Sequence, residues 1–240
     1  MTAKERLIVA LDVDTKEEVK TLVDALKNEV GMFKIGLQLY ISMGNEIIRY
    51  IKDKECKIFL DLKLHDIPNT VAKSAKVLTG LGIDMFNVHS QGGYEMMKKA
   101  KEASVDEAKA LGIEAPKLIA VTILTSLGDE EVNAIGYHKT AKEMVVHLGK
   151  LTEEAGLDGV VCSPLEAGLI RGTCGENFLR VTPGVRPLGG VVGDQKRITT
   201  PKAALEGGSS YIVVGRPITE AEDVIVAARN IVKEMEEASC

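Results

Sequence analysis

The chain of 240 residues has no tryptophan, and its aromatic content is only 4%. That leaves no stacking platform for the bases of a single-stranded nucleic acid. It has four cysteines, Cys56, Cys162, Cys174 and Cys240, widely spaced and with no C-x-x-C pair. Neither a zinc site nor a disulfide framework is suggested, and reduced thiols in a cytoplasm are the expectation. No basic run or basic helix face stands out, and the net charge is −5, which argues against general nucleic-acid binding. No apolar run reaches membrane-spanning length. The first residues, Met1 to Arg6, lead into an apolar segment and do not read as a signal peptide.

What is present is an ordinary globular balance, 45% hydrophobic and 27% charged. Strand-like and helix-like patterns alternate from end to end. Strands are expected over residues 7–13, 32–37, 57–64, 85–89, 117–124, 159–162, 178–182 and 211–214. Helices are expected over 15–28, 40–52, 68–81 and 94–110. A longer helical stretch runs through residue 151, with a short helix at 165–170 and a final one at 219–235. Apolar strands alternating with helices demand a parallel sheet covered by helices. Eight such units predict a (β/α)8 barrel, a TIM barrel, as a single domain over residues 1–240. A doubly wound open sheet is the rival and fits the strand count less well. Residues 185–200 form the one long irregular stretch, and segments of that kind are often functional lids.

The most informative stretch is D-L-K-L-H-D-I-P-N-T, residues 61–70. It continues an apolar strand, and a buried strand should not end in Asp, Lys and Asp. Charges there are costly unless they pair with each other or with a ligand. Period-two alternation puts Asp61 and Lys63 on one face, and Asp66 falls on the loop before Pro68. Two carboxylates around an ammonium suit proton transfer to a carbon centre in a dry pocket. The lysine between the carboxylates disfavours a bound cation, so no metal is assigned to them or to His65 and His89.

Barrel active sites lie at the C-terminal ends of the strands. Reading those ends collects Asp12, Lys34, Asp61 with Lys63, His89, Thr125 with Ser126, Ser163, Arg186, and Gly215 with Arg216. Loops after strands seven and eight commonly bind phosphate. Arg186 and Arg216, with backbone N–H groups near Gly215, suit a phosphate monoester.

These residues resemble the orotidine 5′-monophosphate decarboxylases, most closely the bacterial form. The resemblance rests on D-L-K-L-H-D-I-P-N-T together with A-L-D-V (10–13), F-K-I-G (33–36), V-T-I-L-T-S (121–126), T-P-G-V-R-P (182–187) and V-V-G-R-P (213–217). It covers essentially the whole chain in order. A bare D-x-K-x-x-D is shared with sugar-phosphate decarboxylases and synthases of the same superfamily, whereas the extended motifs are far more specific.

The resemblance implies a cytoplasmic, cofactor-independent carboxy-lyase of pyrimidine biosynthesis. Its partner would be the small-molecule substrate, with neither nucleic acid nor membrane. It implies a homodimer, with Lys34, Asp61 and Lys63 from one subunit and Asp66, Ile67 and Thr70 from the other. Lys63 would donate the proton. Asp12 and Lys34 would hold the ribose, Thr125 the pyrimidine, and Gln195 would bridge base and phosphate. Arg186, Gly215 and Arg216 would hold the phosphate. The competing expectations are a metal-dependent sugar-phosphate decarboxylase or synthase, and a barrel that binds a phosphate ligand without catalysis.

Overall fold

A computed structural model describes residues 1–187 and 199–238. Eight parallel strands close on themselves in sequence order. They are β1 (Leu7–Ala10), β2 (Met32–Gly36), β3 (Ile58–Leu64), β4 (Met85–His89), β5 (Lys117–Val121), β6 (Gly159–Val161), β7 (Leu179–Thr182) and β8 (Tyr211–Val214). Closure is made by β1 against β8, with Ile8 opposite Val213. The barrel expectation holds, and the open sheet is excluded.

Burial on both faces of each strand explains the near-continuous apolar runs. On β1, Leu7 and Val9 join the layer between barrel and helices, while Ile8 and Ala10 face the barrel interior. The interior is filled by Ile8, Met32, Phe59, Met85, Ile119, Val181 and Val213, a packed plug and not a pore. The other residues of the same strands, such as Phe33, Ile35, Leu60, Phe86 and Val88, pack under the helices.

The strand starts at the opposite end of the barrel are tied by aspartates. Asp84 accepts from the Ile58 N–H (2.9 Å), and Asp158 accepts from the Leu118 N–H (2.8 Å). Each aspartate stands just before its own strand and satisfies an N–H of the preceding one.

Several element boundaries differ from the sequence expectation. A short helix, Ala3–Arg6, precedes β1, closed by a reciprocal Thr2–Glu5 capping box. The helix expected over 40–52 is two, Leu37–Met43 and Asn45–Asp53, divided by Gly44 at φ +55°. The long helical stretch after β5 is likewise two, Asp129–Ala134 and Ala141–Glu154, with Gly136 at φ +94° between them. Glycine accepts such a φ at no steric cost, so each one ends a helix without breaking the apolar stripe. β1 and β5 stop three residues earlier than expected; one more bond to the neighbouring strand follows each, from Leu11 N–H to Lys34 O at 3.0 Å and from Thr122 N–H to Val161 O at 3.2 Å.

Candidate active site

The mouth at the C-terminal ends of the strands holds a cavity of about 640 Å³. Asp12, Lys34, Asp61, Lys63, Thr125, Arg186, Gly215 and Arg216 all line it. With Ser126, nine of the residues singled out from sequence thus meet in one concavity, although they come from six different strand ends.

Lys34 is the last inward residue of β2 before its terminal glycine, and it is almost buried. Its Nζ lies 3.2 Å from Asp12 Oδ1 and 3.3 Å from Asp61 Oδ2. Asp61 reaches onward with its other oxygen, Oδ1, to Lys63 Nζ at 2.8 Å. The result is one chain of alternating charge, Asp12–Lys34–Asp61–Lys63, in which each buried charge has an opposite neighbour. Gly36 makes room for it. A Cβ at that position would stand 3.1 Å from Lys34 Nζ and 3.3 Å from Asp12 Oδ1.

The backbone at Lys63 is unusual, with φ +54°. The β3–β4 register also slips here: Leu60 pairs with Phe86 but Leu64 with Val88, so four steps on β3 match two on β4. Strict alternation therefore ends at Asp61. Lys63 reaches its partner from a bulge, a device common beside active sites.

Asn87, which the sequence reading passed over, accepts from the Lys63 N–H (2.8 Å) and donates to Asp61 Oδ1 (2.7 Å). The available signal was a lone amide inside the apolar strand M-F-N-V-H. His89, next on the same face of β4, contacts Gln91 Oε1 at 3.1 Å and lies against the ring of His65, centroids 5.6 Å apart. Burial holds the His89 imidazole below the usual histidine range, partly offset by the Gln91 contact. Ser163 is buried and serves as an N-cap, its hydroxyl accepting from Leu165 N–H.

Arg186 and Arg216 come from the chain after β7 and β8. The Arg186 backbone is fixed by its N–H to Thr199 O at 3.0 Å. Arg216 opens the short helix Arg216–Thr219 directly after Gly215. The two guanidinium groups and the four-charge chain line the same cavity, which therefore offers cationic donors suited to an anion together with an ammonium–carboxylate network suited to proton transfer.

Asp66, Ile67 and Thr70 do not line the cavity. They lie on the exposed turn and first helical turn after β3, with Ile67 67% accessible and the Asp66 carboxylate accepting from the Ile67 N–H. Gln195, and most of the expected lid, falls outside the described residues. Among the described residues no helix is long and apolar enough to cross a membrane.

The model of the orotidine 5′-phosphate decarboxylase / HUMPS family matches residues 5–231. The chain belongs to that family. It is 49% identical over 237 residues to the orotidine 5′-phosphate decarboxylase of Moorella thermoacetica, covering 98% of this chain and 94% of that protein. The enzyme of the same name from Trichlorobacter lovleyi is 48% identical, over 97% of this chain and 96% of its own. Among solved structures, orotidine 5′-phosphate decarboxylase from Lactobacillus acidophilus superposes with a TM-score of 0.84 at 42% identity, covering 95% of this chain and 98% of that one. The Pyrococcus horikoshii structure of that name gives 0.76 at 26% identity, over 97% and 100% of the two chains.

Proposed function

We propose that this chain decarboxylates orotidine 5′-monophosphate to uridine 5′-monophosphate in pyrimidine biosynthesis. One observation carries the reading: the Asp12–Lys34–Asp61–Lys63 chain and the two arginines open into the same cavity. A pyrimidine nucleoside monophosphate has a dianionic end and a reacting ring at the other, and the two sets of groups answer those two needs.

In the proposed reaction the bond between C6 and the carboxylate breaks, CO₂ leaves, and the electron pair stays on C6. That carbanion has no adjacent carbonyl to take up the charge. A fixed ammonium beside C6 stabilises it electrostatically, and Lys63 is assigned that place. The Lys63 proton then moves to C6, and solvent restores it. Asp61 holds Lys63 Nζ and faces the leaving carboxylate. Asp12 and Lys34 meet the ribose hydroxyls, and Thr125 the pyrimidine. Arg186, Gly215 and Arg216 hold the phosphate, whose remote binding energy is used at the reacting carbon, and Gln195 bridges phosphate and base.

The same reading makes the active unit a cytoplasmic homodimer. Asp66, Ile67 and Thr70 stand outside the cavity of their own barrel and on exposed backbone, which supports their use across an interface. Asp66 of the partner subunit would then complete the charge network around Lys63.

The test is the ultraviolet absorbance of orotidine 5′-monophosphate mixed with EDTA-treated protein. Rapid loss of the substrate band is the expected result. No loss, followed by turnover of a sugar phosphate once magnesium is added, would overturn the reading in favour of a metal-dependent relative.

A further inference from the structure

Asn87 stands at the centre of β4, fully buried, with apolar Phe86 and Val88 on either side and Met85 below it on the same face. A buried side-chain amide is costly unless both its ends find partners. Here both ends turn to β3, and to the two residues on which the proposed chemistry depends. The carbonyl takes the Lys63 N–H at 2.8 Å, and the NH₂ gives a proton to Asp61 Oδ1 at 2.7 Å.

Each bond answers a specific local defect. The β3–β4 ladder is interrupted between Leu60 and Leu64, so the Lys63 N–H has lost its regular strand partner. The Asn87 side chain replaces that partner and holds the backbone at φ +54°. Asp61 Oδ1 already receives Lys63 Nζ, and Oδ2 faces Lys34 Nζ. One carboxylate with three donors in fixed directions has a single usable orientation. Two of the three donors are themselves charged and belong to the reaction; only Asn87 is neutral and immobile.

We propose that Asn87 is a positioning residue for the decarboxylation, clamping the Asp61 carboxylate and the Lys63 backbone so that the ammonium is presented at one fixed point in the cavity. The proposal rests on the decarboxylase reading given above. Asn87 itself does not line the cavity, so it acts through Asp61 and Lys63 and not on substrate.

Preorganised groups contribute to the transition state more than to the ground state. Asn87→Ala therefore lowers kcat by roughly 10²-fold, on the scale of one lost preorganising hydrogen bond, while KM changes much less. Asn87→Asp gives a sharper readout. While protonated, the carboxyl group it introduces copies the amide, with O–H to Asp61 and C=O accepting from Lys63. Once ionised, that group sets two carboxylates within hydrogen-bond distance, and like charges so placed oppose ionisation. The variant's kcat relative to wild type should thus be highest at low pH and fall as pH rises, with thermal melts at each pH showing a folded protein.

A second measurement does not need the substrate. In ¹⁵N-labelled protein, hydrogen exchange of the Lys63 amide N–H, which the Asn87 carbonyl accepts, is followed by NMR in wild type and in Asn87→Ala. Exchange at least tenfold faster in the variant is expected, with neighbouring core amides unchanged. Wild type that fails to turn over orotidine 5′-monophosphate overturns the decarboxylase reading alone, and the faster exchange still supports the clamp. A folded Asn87→Ala protein with kcat within threefold of wild type, or with unchanged Lys63 amide exchange, overturns the proposal.

Discussion

Lys63 Nζ sits 2.8 Å from Asp61 Oδ1 even though the Lys63 backbone has left the β conformation, with φ +54°. A non-glycine residue held there costs on the order of 1–3 kcal/mol and persists only where its surroundings over-determine it. The surroundings do so: the side chain is held by Asp61 and the backbone N–H by Asn87. The strain is thus concentrated at the one lysine that opens directly from β3 into the cavity.

Lys63→Ala removes the ammonium that the proposed mechanism sets beside the reacting carbon. On the scale of single electrostatic contacts in active sites, roughly 4 kcal/mol or more of transition-state stabilisation is lost, at least a thousandfold in turnover. Single-wavelength decay of the substrate band in matched wild-type and variant samples measures it. Near-normal turnover by the variant would remove Lys63 from the centre of the mechanism.

Arg216→Ala separates binding from folding. The side chain is exposed at the start of a four-residue helix, and surface changes of this kind stay within about 0.5 kcal/mol in stability. The phosphate contact proposed for it at the cavity wall predicts a much larger loss in kcat/KM. Thermal melting and steady-state kinetics on one preparation decide the point, and kinetics equal to wild type would refute it.

The barrel was legible because its strands are buried on both faces and its helices on one, so the two periods alternate eight times. The strand-end residues were legible because charge at the end of an apolar run needs a reason. Asn87 was not, since one amide in M-F-N-V-H looks like ordinary strand content until the bulge opposite it is seen. The φ of Lys63 was hidden for the same reason: it follows from a register slip between β3 and β4, a relationship between strands 24 residues apart in the Lys63–Asn87 pairing. Gly44 and Gly136 could have divided their helices on sight. Both sit inside patterns whose apolar spacing carries across the break.

Asp158→Ala tests the other end of the barrel. Asp158 accepts from the Leu118 N–H and pairs with Lys101, well away from the cavity residues. Loss of the acceptor leaves a strand N–H unsatisfied, at a cost of about 1–3 kcal/mol. Residues on this face of such barrels serve stability and not chemistry. A lowered melting temperature with kcat unchanged is expected. A large fall in kcat in the folded variant would contradict that division of labour.

Cys174 gives the fold an alkaline limit. Burial, reinforced by Glu153, pushes its thiol from an ordinary 9.0 up to about 11. The thiol is neutral in the folded chain while the unfolded chain ionises it from about pH 9 upward. Protons are then bound more tightly by the folded state, so stability falls as pH rises. The contribution is complete below pH 9 and is lost as pH passes through about 11. Its size is up to about 2 kcal/mol, discounted for the solvent in the cleft beside the thiol. Denaturant midpoints measured from about pH 8 to about pH 11 should fall more gently in Cys174→Ala than in wild type, whatever the offset caused by the lost sulfur. Parallel curves would show that another group sets the alkaline limit.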